Sequence, residues 1–171
     1  MLRGINVGKA KRISMADLRD VVESLGYTDV ATLLNSGNVV FTSGAAGRGD
    51  PAARIEQAIE KRLGVSSRVT VITAAELAAA VKANPLGKVA DNPSRYLIAV
   101  WQTPAERKRL EPLTKKDWAP DAFALGKRVA YLWCPNSILD SPLAVAVGRE
   151  LRDAVTMRNW ATMTKLLALA G

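Results

Sequence analysis

Apolar residues recur at helical spacing behind polar capping residues in several parts of the chain. Ser14, followed three residues later by Asp17, precedes apolar positions three and four residues apart, and Gly26 follows them. A side-chain oxygen at the N-cap, an apolar stripe and a terminal glycine mark the start, buried face and end of a helix. The same signals predict helices after five further capping residues: Asp50, Thr73, Thr103, Ser141 and Thr156.

Short runs rich in apolar and β-branched residues, bounded by turn residues, predict the strands. Turn residues 35–37 and 126–128 each separate two such runs and predict two hairpins. The predicted strands cover residues 1–7, 30–34, 38–42, 68–72, 95–102, 122–125 and 129–133.

The order of these elements predicts the fold class. Strand, helix, strand, strand, helix, strand is the split βαβ order of ferredoxin-like domains. The second half repeats most of this order without a residue-level repeat, after a stretch containing proline and glycine at 86–93. We therefore expect an α+β protein of two ferredoxin-like βαββα-type lobes, with antiparallel sheets and helices on one face. The lobes would span 1–85 and 94–171 and form one compact unit.

The composition excludes several kinds of active site. The 171 residues are 49% hydrophobic and contain one cysteine and no histidine. Ser-His-Asp triads, Cys-His pairs, histidine-ligated zinc and intramolecular disulfides are therefore excluded. Activation of Cys134 would need a nearby cation or a helix N-terminus, and an idle thiol is the expected state. We expect neither a metal nor a cofactor.

The charge is strongly positive and spread along the chain. The formal net charge is +8, and the sequence pI is about 9.9. Such a surface attracts nucleic acid or other anions, but spread charge also serves solubility alone. The charge runs at 107–109 and 115–116 are therefore interpreted as a solvated face.

The sequence predicts a cytosolic protein without a membrane partner. Arg3 and Asn6 interrupt the apolar stretch that a signal peptide would need. No run of about 18 apolar residues is present. A lone cysteine also fits a reducing compartment.

The N-terminal segment contains candidate anion-binding residues. Gly4 and Gly8 with Lys9 are similar to a phosphate loop, but the glycine spacing is one residue short and Ala10 replaces the hydroxyl residue. A weaker prediction remains. Three cations, Lys9, Lys11 and Arg12, precede a helix whose N-terminus would attract an anion.

Two other polar groups allow both a structural and a functional interpretation. Asn35, Ser36 and Asn38 cluster at the first hairpin, where such residues commonly hydrogen-bond the local backbone. Arg158 and Asn159 are expected to open the last helix, with Trp160 on its apolar stripe. Because the helix dipole disfavours a cation at the N-terminus, Arg158 would need an acidic partner or a bound anion.

Three stretches together resemble one protein family: Leu2–Gly8, Ser36–Phe41 and Val155–Thr162. The chain is similar to the bacterial family called domain of unknown function 1697 from Leu2 to about Leu169. The resemblance implies a compact α/β protein of two similar lobes and no assigned activity. It also nominates the polar motif residues Arg3, Asn6, Asn38, Arg158 and Asn159.

This chain departs from the family pattern at two places. Members usually carry a few more apolar residues before the first motif, so we expect either a truncated first strand or a misassigned start codon. A second glycine is common where Lys9, Ala10 and Lys11 stand, which weakens the expectation of a backbone contact with an anion.

These observations lead to one expected function and two alternatives. We expect the protein to bind a phosphorylated small molecule or a nucleic acid, in a groove between the lobes. Charge would come from Arg3, Lys9, Lys11, Arg12 and Arg158, and orientation from Asn6, Asn38 and Asn159. The alternatives are a histidine-independent enzyme for phosphate or acyl chemistry, and an interaction module without a small ligand.

Overall fold

The computed structural model describes residues 1–7, 11–44 and 49–171. The chain divides into two compact units, one formed by Met1–Val71 with Leu169–Gly171 and the other by Ile72–Ala168. The described residues form a mixed α and β protein with two antiparallel sheets and six α-helices. Among these residues, no helix is both long and apolar enough to cross a membrane.

The first unit combines two helices with a β-hairpin. Its elements are α1 (Met15–Ser24), β1 (Thr28–Leu33), β2 (Asn38–Thr42) and α2 (Pro51–Leu63). The predicted N-caps are confirmed, since Ser14 accepts from the Asp17 amide and Asp50 from the Ala52 amide. Both helices bury apolar residues in one core with the hairpin. That core includes Leu18, Val22, Val39, Ile55 and Ile59.

Residues 1–7 and 68–72 are not the full strands that the pattern predicts. They meet at one isolated antiparallel bridge, between Leu2 and Val69. The pairing stops there because Gly4 and Asn6 have positive φ angles of 64° and 56°, which turn the chain out of an extended conformation. The Leu2 amide also donates to the Gly37 carbonyl at 2.8 Å, so this segment lies beside the start of β2.

The second unit is built on a four-stranded antiparallel sheet of order β4-β5-β3-β6. Its strands are β3 (Tyr96–Trp101), β4 (Ala122–Leu125), β5 (Val129–Trp133) and β6 (Val155–Asn159). Its helices are α3 (Ala74–Ala83), α4 (Pro104–Leu110), α5 (Pro142–Leu151) and α6 (Trp160–Leu169), with 3-10 helices at Glu111–Lys115 and Arg152–Ala154.

The central strand β3 is buried along its whole length, which corrects the expectation that helices cover one face only. One face packs against α4 and α5 through a core that includes Trp101, Leu110 and Leu143. On the other face, the Tyr131 hydroxyl donates to the Ala80 carbonyl of α3 at 2.8 Å. The helix α3, expected in the first lobe, therefore packs within the second unit.

The strand β6 replaces the start of a predicted helix. Thr156 was predicted to cap the last helix, but it lies in β6 opposite Val100. The backbone pairing with β3 continues to Asn159, and only then does α6 begin. Long-range pairing has overridden a local capping signal.

Candidate anion-binding surfaces

Asn6 joins three chain segments in the first unit. Its Nδ2 donates to the carbonyls of Ile13 at 2.8 Å and Asn35 at 2.7 Å, and its Oδ1 accepts from the Ile13 amide at 2.9 Å. Its backbone amide donates to the Lys11 carbonyl at 3.0 Å. Both amide hydrogens and the oxygen of this side chain are therefore engaged within the protein. We call the surface around it the motif junction (Asn6, Val7, Lys11, Arg12, Leu34 and Asn35).

Two of the sequence motifs meet at Gly37. Its φ of 77° is in the left-handed region, and a Cβ there would lie 2.7 Å from Ile5 Cδ1 and 2.8 Å from Leu2 Cβ. Only glycine satisfies both the conformation and the close approach. The first motif is thereby packed directly against the second.

Asn38 is buried and shapes the hairpin. Its Nδ2 donates to the Leu33 carbonyl and to Ser36 Oγ, both at 3.0 Å. These contacts fit the structural interpretation of a turn asparagine. A ligand could reach this side chain only if the turn opened.

The cations of the first unit differ in accessibility. Lys11 and Arg12 are exposed, whereas Arg3 is half-buried and its backbone bonds to Arg68 and Ser67. Lys9 lies outside the described residues. The N-terminus of α1 already has a carboxylate beside it, because Asp17 Oδ2 accepts from Ser14 Oγ at 2.7 Å. An added anion there would meet this negative charge, so the helix terminus is poorly suited to bind one.

Arg158 and Asn159 lie in the second unit, on β6 and not at a helix start. Arg158 is opposite Ile98, and burial lowers the pKa of its guanidinium to about 10. Its Nη1 donates to the Met157 carbonyl at 2.8 Å. Asn159 caps α6, since its Oδ1 accepts from the Thr162 amide at 2.9 Å and from Thr162 Oγ1 at 2.7 Å. The predicted site residues are thus divided between the two units.

On the same sheet face, Tyr96 and Tyr131 are buried and Trp160 is half-buried. Tyr96 and Trp160 stack with ring centroids 4.9 Å apart, and the Tyr96 hydroxyl donates to Asn84 Oδ1 at 3.0 Å. Burial raises the pKa of Tyr96 and that of Tyr131. The two tyrosine rings stabilise the fold and offer no open platform for stacking bases.

A group of exposed cations surrounds α4 in the second unit, and one of them, Lys116, lies over the Trp118 ring. We call this group the α4 basic surface (Lys108, Arg109, Lys115, Lys116 and Lys127). All five side chains are exposed. Arg107 Nε donates to the Gly126 carbonyl at 3.2 Å, which fixes α4 beside the β4–β5 turn that carries Lys127. The 3-10 helix carrying Lys115 packs beside β4.

The neighbouring acidic groups are hydrogen-bonded or ion-paired to residues other than the five cations. Glu106 accepts both hydrogen bonds of the Thr103 cap, at 3.0 and 2.6 Å. Glu111 pairs with Arg107, and Asp117 accepts from the Ala119 amide at 3.0 Å. Within the described ranges, the five cations have no ion pair.

Cys134 is buried, and burial is the main cause that raises the pKa of its thiol. Its Sγ donates to Ser141 Oγ at 3.3 Å, and Ser141 donates to Asp121 at 2.7 Å. A raised thiol pKa disfavours the nucleophilic thiolate. In the part of the chain that the structure describes, no group of three or more Cys, Asp or Glu residues could hold a metal.

An open cavity of about 490 Å³ lies at the ends of β3 and β5. Its lining is Asp91, Asn92, Pro93, Arg95, Trp133 and Pro135. The Arg95 guanidinium donates to the Pro135 carbonyl. The lining carries one acidic and one basic group, which is not the strongly positive lining that a phosphorylated ligand requires.

A family comparison matches most of the chain. Residues 1–131 match the model of the family described as Protein of unknown function (DUF1697). The chain belongs to this family. The suspected membership is confirmed, and the match includes the first two motifs of the DUF1697 resemblance while the third motif lies beyond it.

A solved structure shares the fold of this DUF1697 protein. It is that of the conserved bacterial protein SP0830 from Streptococcus pneumoniae, with a TM-score of 0.73 and 21% sequence identity. The likeness covers 99% of this chain and 94% of that chain. A comparison with curated proteins finds no match. The family match therefore places the chain in a family of unknown function, and the solved structure shows a shared fold.

The α4 basic surface of this DUF1697 protein is only partly visible in the sequence. The runs at 107–109 and 115–116 were visible, but they were interpreted as a solvated face. Which acidic neighbours are already engaged cannot be deduced from the sequence. Lys127 joins the surface only because the β4–β5 turn lies beside α4.

Proposed function

We propose that this protein binds a nucleic acid through the α4 basic surface. The proposal is based on the five exposed cations, which form no ion pair within the described residues. Exposed cations without an internal ion pair can release condensed counterions from a phosphate backbone, which is the main source of sequence-independent binding. The net charge of +8 adds long-range attraction.

A polymeric ligand fits this surface better than a phosphorylated small molecule does. The five cations are distributed over α4, a 3-10 helix and a turn, as contacts to successive phosphates would require. A small phosphorylated molecule would need several donors converging on one point. The 490 Å³ cavity does not offer this, because Asp91 lines it beside Arg95.

We also propose that both units have a ferredoxin-like topology and that the protein is cytosolic. A ferredoxin-like second unit is supported by the order β3-α4-β4-β5-α5-β6 and the antiparallel sheet order. For the first unit, support comes from the hydrogen bonds of Leu2 to Gly37 and of Arg3 to Arg68. A cytosolic location is supported by the single, reduced cysteine. The groove between the lobes stays a prediction.

A salt titration of the wild-type protein tests the nucleic-acid proposal. Binding of a fluorescent oligonucleotide of about 20 nucleotides would be followed by anisotropy between about 50 and 200 mM salt. Contacts from four or five cations predict that the logarithm of the affinity falls with the logarithm of salt at a slope of about −3 to −4. Absence of binding at low salt, or a slope near zero, would contradict the proposal.

A further inference from the structure

The motif junction exposes two large apolar side chains. Val7 is 74% exposed and Leu34 is 53% exposed. Asn6, which precedes Val7, bonds to the carbonyl of Asn35, which follows Leu34. The two exposed side chains therefore belong to segments that are joined at this hydrogen bond.

The Asn6 side chain connects two backbone segments of the motif junction. Asn6 holds the loop at Ile13 and the hairpin at Asn35 through three side-chain hydrogen bonds. Leu34 has a φ of 59°, in the region where glycine and asparagine are the usual residues. Leucine is thus present where neither burial nor backbone conformation favours it, and its side chain gains little from the folded state.

Charge at the junction indicates what kind of partner it fits. Lys11 and Arg12 are exposed, and within the described residues neither has an ion pair. The Lys11 carbonyl accepts from the Asn6 amide at 3.0 Å, so both cations lie on a segment bound to the junction. The complementary partner has negative charges with apolar surface between them.

We propose that the motif junction binds single-stranded nucleic acid, with Val7 and Leu34 against unpaired bases and Lys11 and Arg12 at the phosphates. This inference rests on the proposed function and specifies the form of the nucleic acid. Cations alone bind duplex and single strands through phosphates. Apolar side chains gain only where base faces are accessible, which is the condition in a single strand.

Two substitutions at the junction and one matched control test this inference. Leu34→Asn and Val7→Asn each remove an exposed apolar side chain. Leu139→Asn removes one that is 88% exposed in the second unit and belongs to neither proposed surface. Affinities for a single strand and for a duplex of the same length, about 20 nucleotides, would be measured by anisotropy.

The expected result is a preference for the single strand that each junction substitution reduces by about tenfold. Duplex affinity should change little, and Leu139→Asn should leave both affinities unaltered. Thermal unfolding should show Leu34→Asn to be at least as stable as wild type, because asparagine tolerates the left-handed conformation. Reduced binding by Leu34→Asn would then not be a consequence of unfolding. Val7→Asn tests the same inference without changing the residue at Leu34, whose backbone is strained.

Different binding results would overturn the proposed function and the single-strand inference. If the wild type binds neither nucleic acid, the proposed function is wrong. If it binds the single strand and the duplex equally, or if both junction substitutions leave the single-strand affinity unchanged, only the further inference is overturned.

Discussion

Glu76 and Arg128 form an ion pair in the second unit, with Glu76 Oε1 2.8 Å from Arg128 Nη1. The same guanidinium donates to the Trp101 carbonyl at 3.2 and 3.0 Å. The other Glu76 oxygen accepts from the amide and the hydroxyl of Thr73, closing the capping box of α3. One carboxylate therefore caps α3 and attaches it to the sheet.

This arrangement predicts a loss of stability in acid. Burial raises the pKa of Glu76, but the Thr73 hydrogen bonds and Arg128 more than offset it, so the net pKa lies below the ordinary 4.5. The stabilisation is complete above that ordinary value and is lost as the pH falls through the lowered one. Glu76→Gln should cost about 1 kcal/mol at neutral pH.

Denaturant unfolding at about pH 7 and about pH 3 checks this expectation. The difference in the free energy of unfolding between wild type and Glu76→Gln should be smaller at the lower pH. Glu60→Gln, at an exposed position on α2, is the control and should leave the free energy of unfolding nearly unchanged at both pH values. A difference between wild type and Glu76→Gln that is independent of pH would contradict the role given to the carboxylate.

The close packing at Gly37 predicts a large effect of a single methyl group. Gly37→Ala would place a Cβ 2.7 Å from Ile5 and impose alanine on a φ of 77°. We expect a loss of about 2–4 kcal/mol in the free energy of unfolding. Gly4→Ala is the matched control, because its φ is 64° but no atom lies within 4 Å of the added Cβ.

The control should lose only about 1 kcal/mol, from backbone strain. The difference between the two variants then measures the steric part alone. Equal losses in chemical denaturation would show that the two motifs are not packed tightly at Gly37.

Asn159 is predicted to act as a helix cap and not as a ligand residue. Asn159→Ala removes the acceptor for the Thr162 amide and should cost about 1 kcal/mol. Asn159→Asp keeps an acceptor oxygen at the helix N-terminus and should retain the stability. Thermal unfolding of both variants, with oligonucleotide affinity measured in parallel, checks the prediction. If Asn159→Asp keeps its stability but loses binding, Asn159 contacts the ligand.

Much of the secondary structure was predictable because its signals are local. The caps at Ser14, Thr73 and Ser141 and the hairpin at 126–128 needed only neighbouring residues. The strand β6 was missed because its alternating pattern competes with a capping signal at Thr156, and only the distant β3 decides between them.

The candidate site was less predictable because its function depends on which side chains are already engaged. The sequence singles out Asn6 and Asn38, but their side-chain amides bond to backbone groups that come together only in the fold. Arg158 was expected at a helix start and lies in a strand instead. The α4 basic surface includes Lys127 only because the β4–β5 turn lies beside α4 in the fold.

Two triple-lysine variants distinguish nucleic-acid binding at the α4 basic surface from general attraction by positive charge. The first variant removes three positive charges from the α4 basic surface by replacing Lys108, Lys115 and Lys127 with alanine. The second variant removes the same number of charges from other exposed positions by replacing Lys61, Lys82 and Lys165 with alanine. The nucleic-acid proposal predicts that the first variant alone loses most of the oligonucleotide affinity, with a salt slope shallower by about 2 to 3. Equal losses in the two variants, or none in either, would contradict binding at the α4 basic surface.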